Sequence, residues 1–158
     1  MNYFISDTHF GHERILTLKP RPYTNIIEHD EALIEKWNRR VKQDDTVYIL
    51  GDFTTKGAGF KNNLFQRLNG NKVLVKGNHD HSSLLVGGYV EMLGKGWELV
   101  HNPDDSSAST VIHGHIHVGA ERVRVVDGRL FVNVNCELWD YTPVSVKQIY
   151  GVMERMKK

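Results

Sequence analysis

Cysteine is almost missing from this chain: Cys136 stands alone among 158 residues. No internal disulfide can form, and the reducing cytoplasm is the expected compartment. Long apolar runs are missing too. Nothing approaches the roughly 20 consecutive residues of a membrane span, and the N-terminus lacks a basic region followed by an apolar one. An excess of charge of either sign is also lacking. With a formal net charge of +1, there is no global electrostatic case for a nucleic acid or a membrane surface as partner. The cluster Arg39, Arg40 and Lys42 reads as a solvated helix end. Repeats, low-complexity segments and linkers are absent as well. Residues 1–158 therefore read as a single domain, large enough to bury a core without disulfides. Apolar and charged fractions of 40% and 25% are those of a soluble globular protein.

What the chain does have is histidine, nine in all. Six of them fall between His79 and His117, namely these two with His81, His101, His113 and His115. The stretch Gly77-Asn78-His79-Asp80 follows the apolar run Val73-Leu74-Val75. An amide, an imidazole and a carboxylate in succession suit neither a helix nor a core, which points to chemistry.

Residues 2–6 read as a buried strand and 13–18 as a helical turn stopped at Pro20 and Pro22. From 25 to 41 the apolar residues Ile26, Ile27, Leu33, Ile34, Trp37 and Val41 recur at helical spacing, so an amphipathic helix is expected. A strand over 46–50, a helix over 60–68 and a strand ending before Gly77 follow. Beyond them come a short helix over 82–86, a strand over 97–100, a polar loop over 102–109 and a strand over 110–112. Residues 122–126 and 130–134, joined at Asp127-Gly128, carry the strongest hairpin signal. Ser145 is a plausible cap for a last helix through Val146, Ile149, Met153 and Met156.

Five apolar runs each end in a polar cluster: Asp7 and His9, Asp52, Asn78 and His79, His101, and His115 and His117. Functional groups gather where strands of α/β sheets stop, because loops there are free of the hydrogen-bond ladder. Residues two apart on an extended segment point the same way, so Asp7 is expected to pair with His9, and His115 with His117. Carboxylate, imidazole and amide oxygens suit hard to borderline divalent metals such as Mn, Fe or Zn. Thiolate is missing from every cluster, against a structural zinc site.

These residues resemble the signature of the calcineurin-like metallophosphoesterases, whose motifs run D-x-H, G-D, G-N-H-D/E, H and G-H-x-H. Here they stand as Asp7-Thr8-His9, Gly51-Asp52, Gly77-Asn78-His79-Asp80, His101 and Gly114-His115-Ile116-His117. The stretches Arg21-Pro22-Tyr23 and Trp37-Asn38 are similar to the small phage and bacterial members, while Asn102 stands where relatives often carry an aromatic. The resemblance implies an α/β (α+β) fold, a four-layer αββα sandwich with two mixed β-sheets flanked by helices. It also implies two divalent metal ions bridged by Asp52. One would be held by Asp7, His9 and His117, the other by Asn78, His101 and His115. Manganese is the first choice, with iron, zinc, nickel or cobalt as alternatives. The implied reaction is hydrolysis of phosphate mono- or diesters by a metal-bridging hydroxide. His79 would be the general acid, oriented and charged by Asp80. Two divalent cations against two aspartates and a hydroxide leave the centre positive, so a neutral amide at position 78 suits a phosphate site. Ligand histidines must be neutral, so activity should fade at mildly acidic pH.

The expected partner is a small phosphate ester or nucleotide. A nuclease or nucleotide pyrophosphatase on the same site is the nearest alternative, and a non-catalytic metal-binding scaffold the more distant one. Around the motifs, His12 is a candidate substrate contact, with a supporting place at the rim of the site as the alternative, and His113 a buried, hydrogen-bonded strand residue. His81 should face solvent beside the site, and His29 reads as a helix-surface residue. For Asn133, Asn135 and Glu137 only a turn-forming role is legible.

Overall fold

Three strands alternate which side they bury, and that alternation builds the molecule in layers. The computed structural model describes residues 1–80, 88–92, 95–117 and 119–156. Strands β1 (Asn2–Ile5), β2 (Thr46–Leu50) and β3 (Asn71–Val75) run parallel, and the two-residue β9 (Val144–Ser145) pairs antiparallel with β1, giving the order β3-β2-β1-β9. Tyr3, Ile5, Val47, Ile49 and Leu74 point to one face, where Leu33, Ile34 and Trp37 of helix α2 (Ile26–Arg40) and Leu64 of α3 (Ala58–Arg67) cover them. A single turn, α1 (Ile15–Leu18), precedes these two helices. Phe4, Leu50 and Val75 point the other way, onto a second sheet.

That sheet has the order β4-β5-β6-β8-β7, from β4 (Gly88–Met92), β5 (Lys95–Leu99), β6 (Thr110–His113), β7 (Val123–Val126) and β8 (Arg129–Asn133). Here β5, β6 and β8 are parallel while the outer pairs are antiparallel, so both sheets are mixed. Trp97, Leu99, Ile112 and Val132 meet the first sheet in a shared core, which Ile149 and Met153 of α4 (Val146–Arg155) also enter. The architecture is two mixed sheets flanked by helices. No helix among the described residues is long and apolar enough to cross a membrane.

Local chemistry accounts for the element ends. The Asn25 side chain caps α2 by accepting from Glu28 N–H, and Ser145 with Gln148 forms a reciprocal capping box on α4. The β7–β8 hairpin turns at Asp127 (φ 50°) and Gly128 (φ 76°), both left-handed as a two-residue turn requires. Strands β4 and β9 lie outside the sequence expectations, and the polar loop contains a short 3-10 turn, Pro103–Asp105. The helix expected over 82–86 and the placement of His81 fall outside the described residues.

His29 corrects its sequence reading. It is fully buried, with Nε2 2.8 Å from an Arg21 nitrogen and Nδ1 2.7 Å from Asp30. Together with Leu33 and Trp37 it forms an i, i+4 stripe on the covered side of α2, whereas Ile27 is 73% exposed.

Candidate metal centre

Parallel pairing puts the ends of β1, β2 and β3 side by side in one sheet, and those of β5 and β6 in the other. The sheets are tied together at this end: Ser6 N–H donates to Val134 O, and Cys136 N–H to Ser6 O, at 3.1 Å each. Asp7, His9, Asp52, Asn78, His101, His115 and His117 all converge there. Close approach is possible because glycines line the crossing. A Cβ on Gly77 would lie 2.3 Å from Asp52 Oδ1, and one on Gly114 2.5 Å from Asp7 Oδ2. Left-handed backbone occurs at Asp7, His9, Asp52 and His115 (φ 56°, 51°, 51° and 70°), four non-glycine residues in sparsely populated conformations at one place.

Two donor groups result, Asp7–His9–His117 and Asp52–His101–His115, each with its ligand atoms within 4.8 Å of one another. In the first, His117 Nε2 is 3.3 Å from Asp7 Oδ1. In the second, His101 Nε2 lies 3.3 Å from Asp52 Oδ2, 3.0 Å from Asn78 Oδ1 and 3.2 Å from His115 Nδ1. Asp52 Oδ2 is also 3.7 Å from His9 Nε2, which places this carboxylate between the groups. The expected pairing of His115 with His117 is not what forms. The left-handed turn at His115 sends the two rings to different groups.

Several features fit divalent ions. His9 Nε2 is buried without a hydrogen-bond partner. Burial drives the His9 pKa down to about 3, so the ring is neutral. Its Nδ1 lies 3.4 Å from His12 Nδ1, and in the tautomer in which His9 donates to His12 the Nε2 lone pair is free. Leu50 O takes His101 Nδ1 at 2.8 Å, and the Glu137 carboxylate takes His117 Nδ1 with both oxygens at 3.0 Å. Each contact fixes a ring with Nε2 facing its donor group, the usual outer support of a metal-bound histidine.

Burial opposes charge on His101 and His117, but hydrogen bonds to Asp52, and to Asp7 and Glu137, outweigh it and hold both pKa values up at about 9. Burial likewise opposes the charge on Asp52, yet His101 leads the contacts that bring it down to about 2. With pKa values held up at about 9, both rings favour the protonated form at neutral pH, and an ion bound at either candidate group would have to displace that proton. Metal uptake is expected to release protons, and affinity to fall as pH is lowered below about 9, by up to about tenfold per pH unit for each proton displaced. Calorimetry in buffers of different ionisation heat measures the release, and an uptake independent of buffer would contradict it. The sign for ion-free stability is the opposite. Folded-state pKa values raised above 6.5 stabilise fully below that pH, and the contribution is lost as pH rises through about 9.

His79 sits at the open side of the cluster. Its side chain is about half exposed, its Nε2 is 4.0 Å from Asp52 Oδ2, and its backbone N–H donates to Asp52 Oδ1 at 2.9 Å. His12 lies beside it, ring centroids 6.1 Å apart. Asp80 requires a correction. Its carboxylate is buried and filled by four backbone N–H donors, Asp52 (2.8 Å) and Gly77 (2.9 Å) on one oxygen, Phe53 (2.9 Å) and Thr54 (3.2 Å) on the other. It staples the β2 and β3 loops together instead of orienting the His79 ring. Asp80→Asn, which turns two acceptor sites into donors facing donors, is expected to lower unfolding free energy by about 2–4 kcal/mol. Urea denaturation of ion-free protein checks this, and an unchanged midpoint would refute the staple.

Sequence reasoning missed Glu137 and Arg21. Asn135, whose side chain accepts Glu137 N–H, starts the turn that presents Glu137 to His117. Asn133 and Asn135 both donate to Ile116 O, fixing the loop between His115 and His117. Arg21 is buried beneath the first motif and donates to Asp7 O (2.7 Å), Thr8 O (2.9 Å) and Glu137 (3.0 Å). His113 is buried, with Nδ1 2.8 Å from Gly114 O, and stands apart from both donor groups.

A profile of the calcineurin-like phosphoesterase family matches residues 3–107. An uncharacterized protein of Methanocaldococcus jannaschii is 36% identical over 163 residues, covering 98% of this chain and 92% of that protein. Among solved structures, a protein of unknown function from Aquifex aeolicus shares 29% identity with a TM-score of 0.74, over 96% of this chain and 98% of its own. Vps29 of Entamoeba histolytica, solved in complex with zinc, has the same fold at 18% identity and a TM-score of 0.51, over 84% of this chain and 72% of its own. The chain belongs to the calcineurin-like phosphoesterase family. That family implies divalent metal ions, and the two donor groups are their candidate ligands.

Proposed function

We propose that this protein hydrolyses phosphate mono- or diesters with two divalent ions, manganese first among the candidates. Asp7, His9 and His117 would hold one, Asn78, His101 and His115 the other, with Asp52 shared. The observation that carries this reading is the convergence of two donor groups on one carboxylate, with a half-exposed imidazole at their open side. When bound, the ions supply Lewis acidity toward phosphoryl oxygens and water of lowered pKa. The neutral Asn78 amide donates an oxygen without adding negative charge, which favours an anionic ester. His79, about 4 Å from Asp52 and open to solvent, delivers a proton to the departing oxygen. His12, next to both His9 and His79, contacts the substrate phosphate. The single Cys136, buried and free, favours a cytoplasmic setting, and the partner is a small phosphate ester or nucleotide.

Ion-free protein given Mn²⁺ and then p-nitrophenyl phosphate or its bis-ester tests the reading. Turnover that depends on the added ion supports it, and a panel of mono-, di- and cyclic nucleotides then narrows the substrate class. Two bound ions without turnover on any ester would instead favour a metal-binding scaffold.

A further inference from the structure

The two donor groups are backed differently. Behind His117 stands a carboxylate, and behind His101 only a backbone carbonyl, Leu50 O. The Glu137 carboxylate is itself fixed, by Arg21 Nε at 3.0 Å and an Arg21 terminal nitrogen at 2.9 Å. The Arg21 side chain is fully buried, and its remaining donors reach the Asp7 and Thr8 carbonyls and His29 Nε2. Asp7 is held as firmly: Ser6 Oγ donates to its Oδ2 at 2.6 Å, His115 N–H donates to the same oxygen at 3.0 Å, and Cys136 Sγ donates to its carbonyl at 3.3 Å. On the other side, His115 is exposed.

We propose that Glu137, clamped by Arg21, makes Asp7–His9–His117 the tighter of the two ion sites, so that it fills first while the Asp52–Asn78–His101–His115 site exchanges. This rests on the two-ion reading above. A carboxylate behind an imidazole fixes the ring and strengthens its donor nitrogen more than a carbonyl does. The Arg21 charge cancels that of Glu137, so the support comes without reducing the positive surplus an anionic ester needs. Pre-set ligands also lose less freedom on binding, and those of this site are the more deeply packed.

Calorimetric titration of ion-free protein with Co²⁺ tests the assignment. The wild type should show two steps of unequal affinity. Glu137→Gln, which keeps a hydrogen-bond acceptor but removes the charge, should weaken the tighter step about 10–100-fold and move the weaker one less than about twofold. A wild-type measurement stands beside it in case the variant folds poorly. One equivalent of Zn²⁺ should shift the ring ¹⁵N resonances of His9 and His117, with those of His101 and His115 following at the second equivalent. Equal weakening of both steps, no weakening, or resonances of His101 and His115 that shift before those of His9 and His117 would overturn the proposal. A wild-type chain that takes up no ion would overturn the two-ion reading itself and this ordering with it.

Discussion

Asp52→Asn is expected to lower phosphoesterase turnover by at least about 10³-fold, beyond the 10–100-fold that losing an outer hydrogen-bond partner costs a metal site, and to weaken both ions together. The reason is position. Asp52 Oδ2 lies within 3.7 Å of His9 Nε2 and 3.3 Å of His101 Nε2, one ring from each donor group. Asparagine is close to isosteric, so the backbone N–H of His79 can still be accepted. What goes is the charge that two cations would share. Metal content measured on the purified variant, beside turnover with excess Mn²⁺, separates the effects. Retention of both ions at wild-type affinity would mean that Asp52 does not bridge.

His79→Ala is expected to do the reverse to metal content. Its ring reaches the cluster from the open side without entering either donor group. Turnover should fall about 10²–10⁴-fold, the usual range for general acid–base catalysis, while both ions stay bound. The loss should shrink for esters with good leaving groups, which need less help from a proton. A variant that loses metal would show His79 to be a ligand, and one that keeps full activity on an alkyl phosphate would remove it from the reaction. Asp80→Asn provides the contrast. Adjacent residues of one motif are expected to fail in different assays, one in turnover and the other in stability.

Much of the centre could be read before folding because each of its polar clusters follows an apolar run. Strands announce themselves by composition, and polar residues at their ends have no packing reason to be there. The support around the centre was not legible in the same way. Glu137 meets His117 from 20 residues away and Arg21 from 116, and neither pairing has a periodicity. A hint existed in Asn135, a turn-former placing an acidic residue after a strand, but only the parallel pairing of β6 and β8 turns it toward His117. Asp80 misled because adjacency in sequence suggested contact with His79, whereas the tight turn aims its carboxylate back at four amides. The polarity of His29 suggests the surface, but its i, i+4 positions with Leu33 and Trp37 put it on the buried face. Strand β9, two residues long, exists only because β1 offers it an edge.

Anomalous diffraction from a crystal grown with Mn²⁺ tests the central claim most directly. Two peaks are expected roughly 3.5–4 Å apart, with Asp52 touching both. Asp7, His9 and His117 should surround one, and Asn78, His101 and His115 the other. A single ion, or ions bound elsewhere while these seven side chains keep their mutual hydrogen bonds, would contradict it.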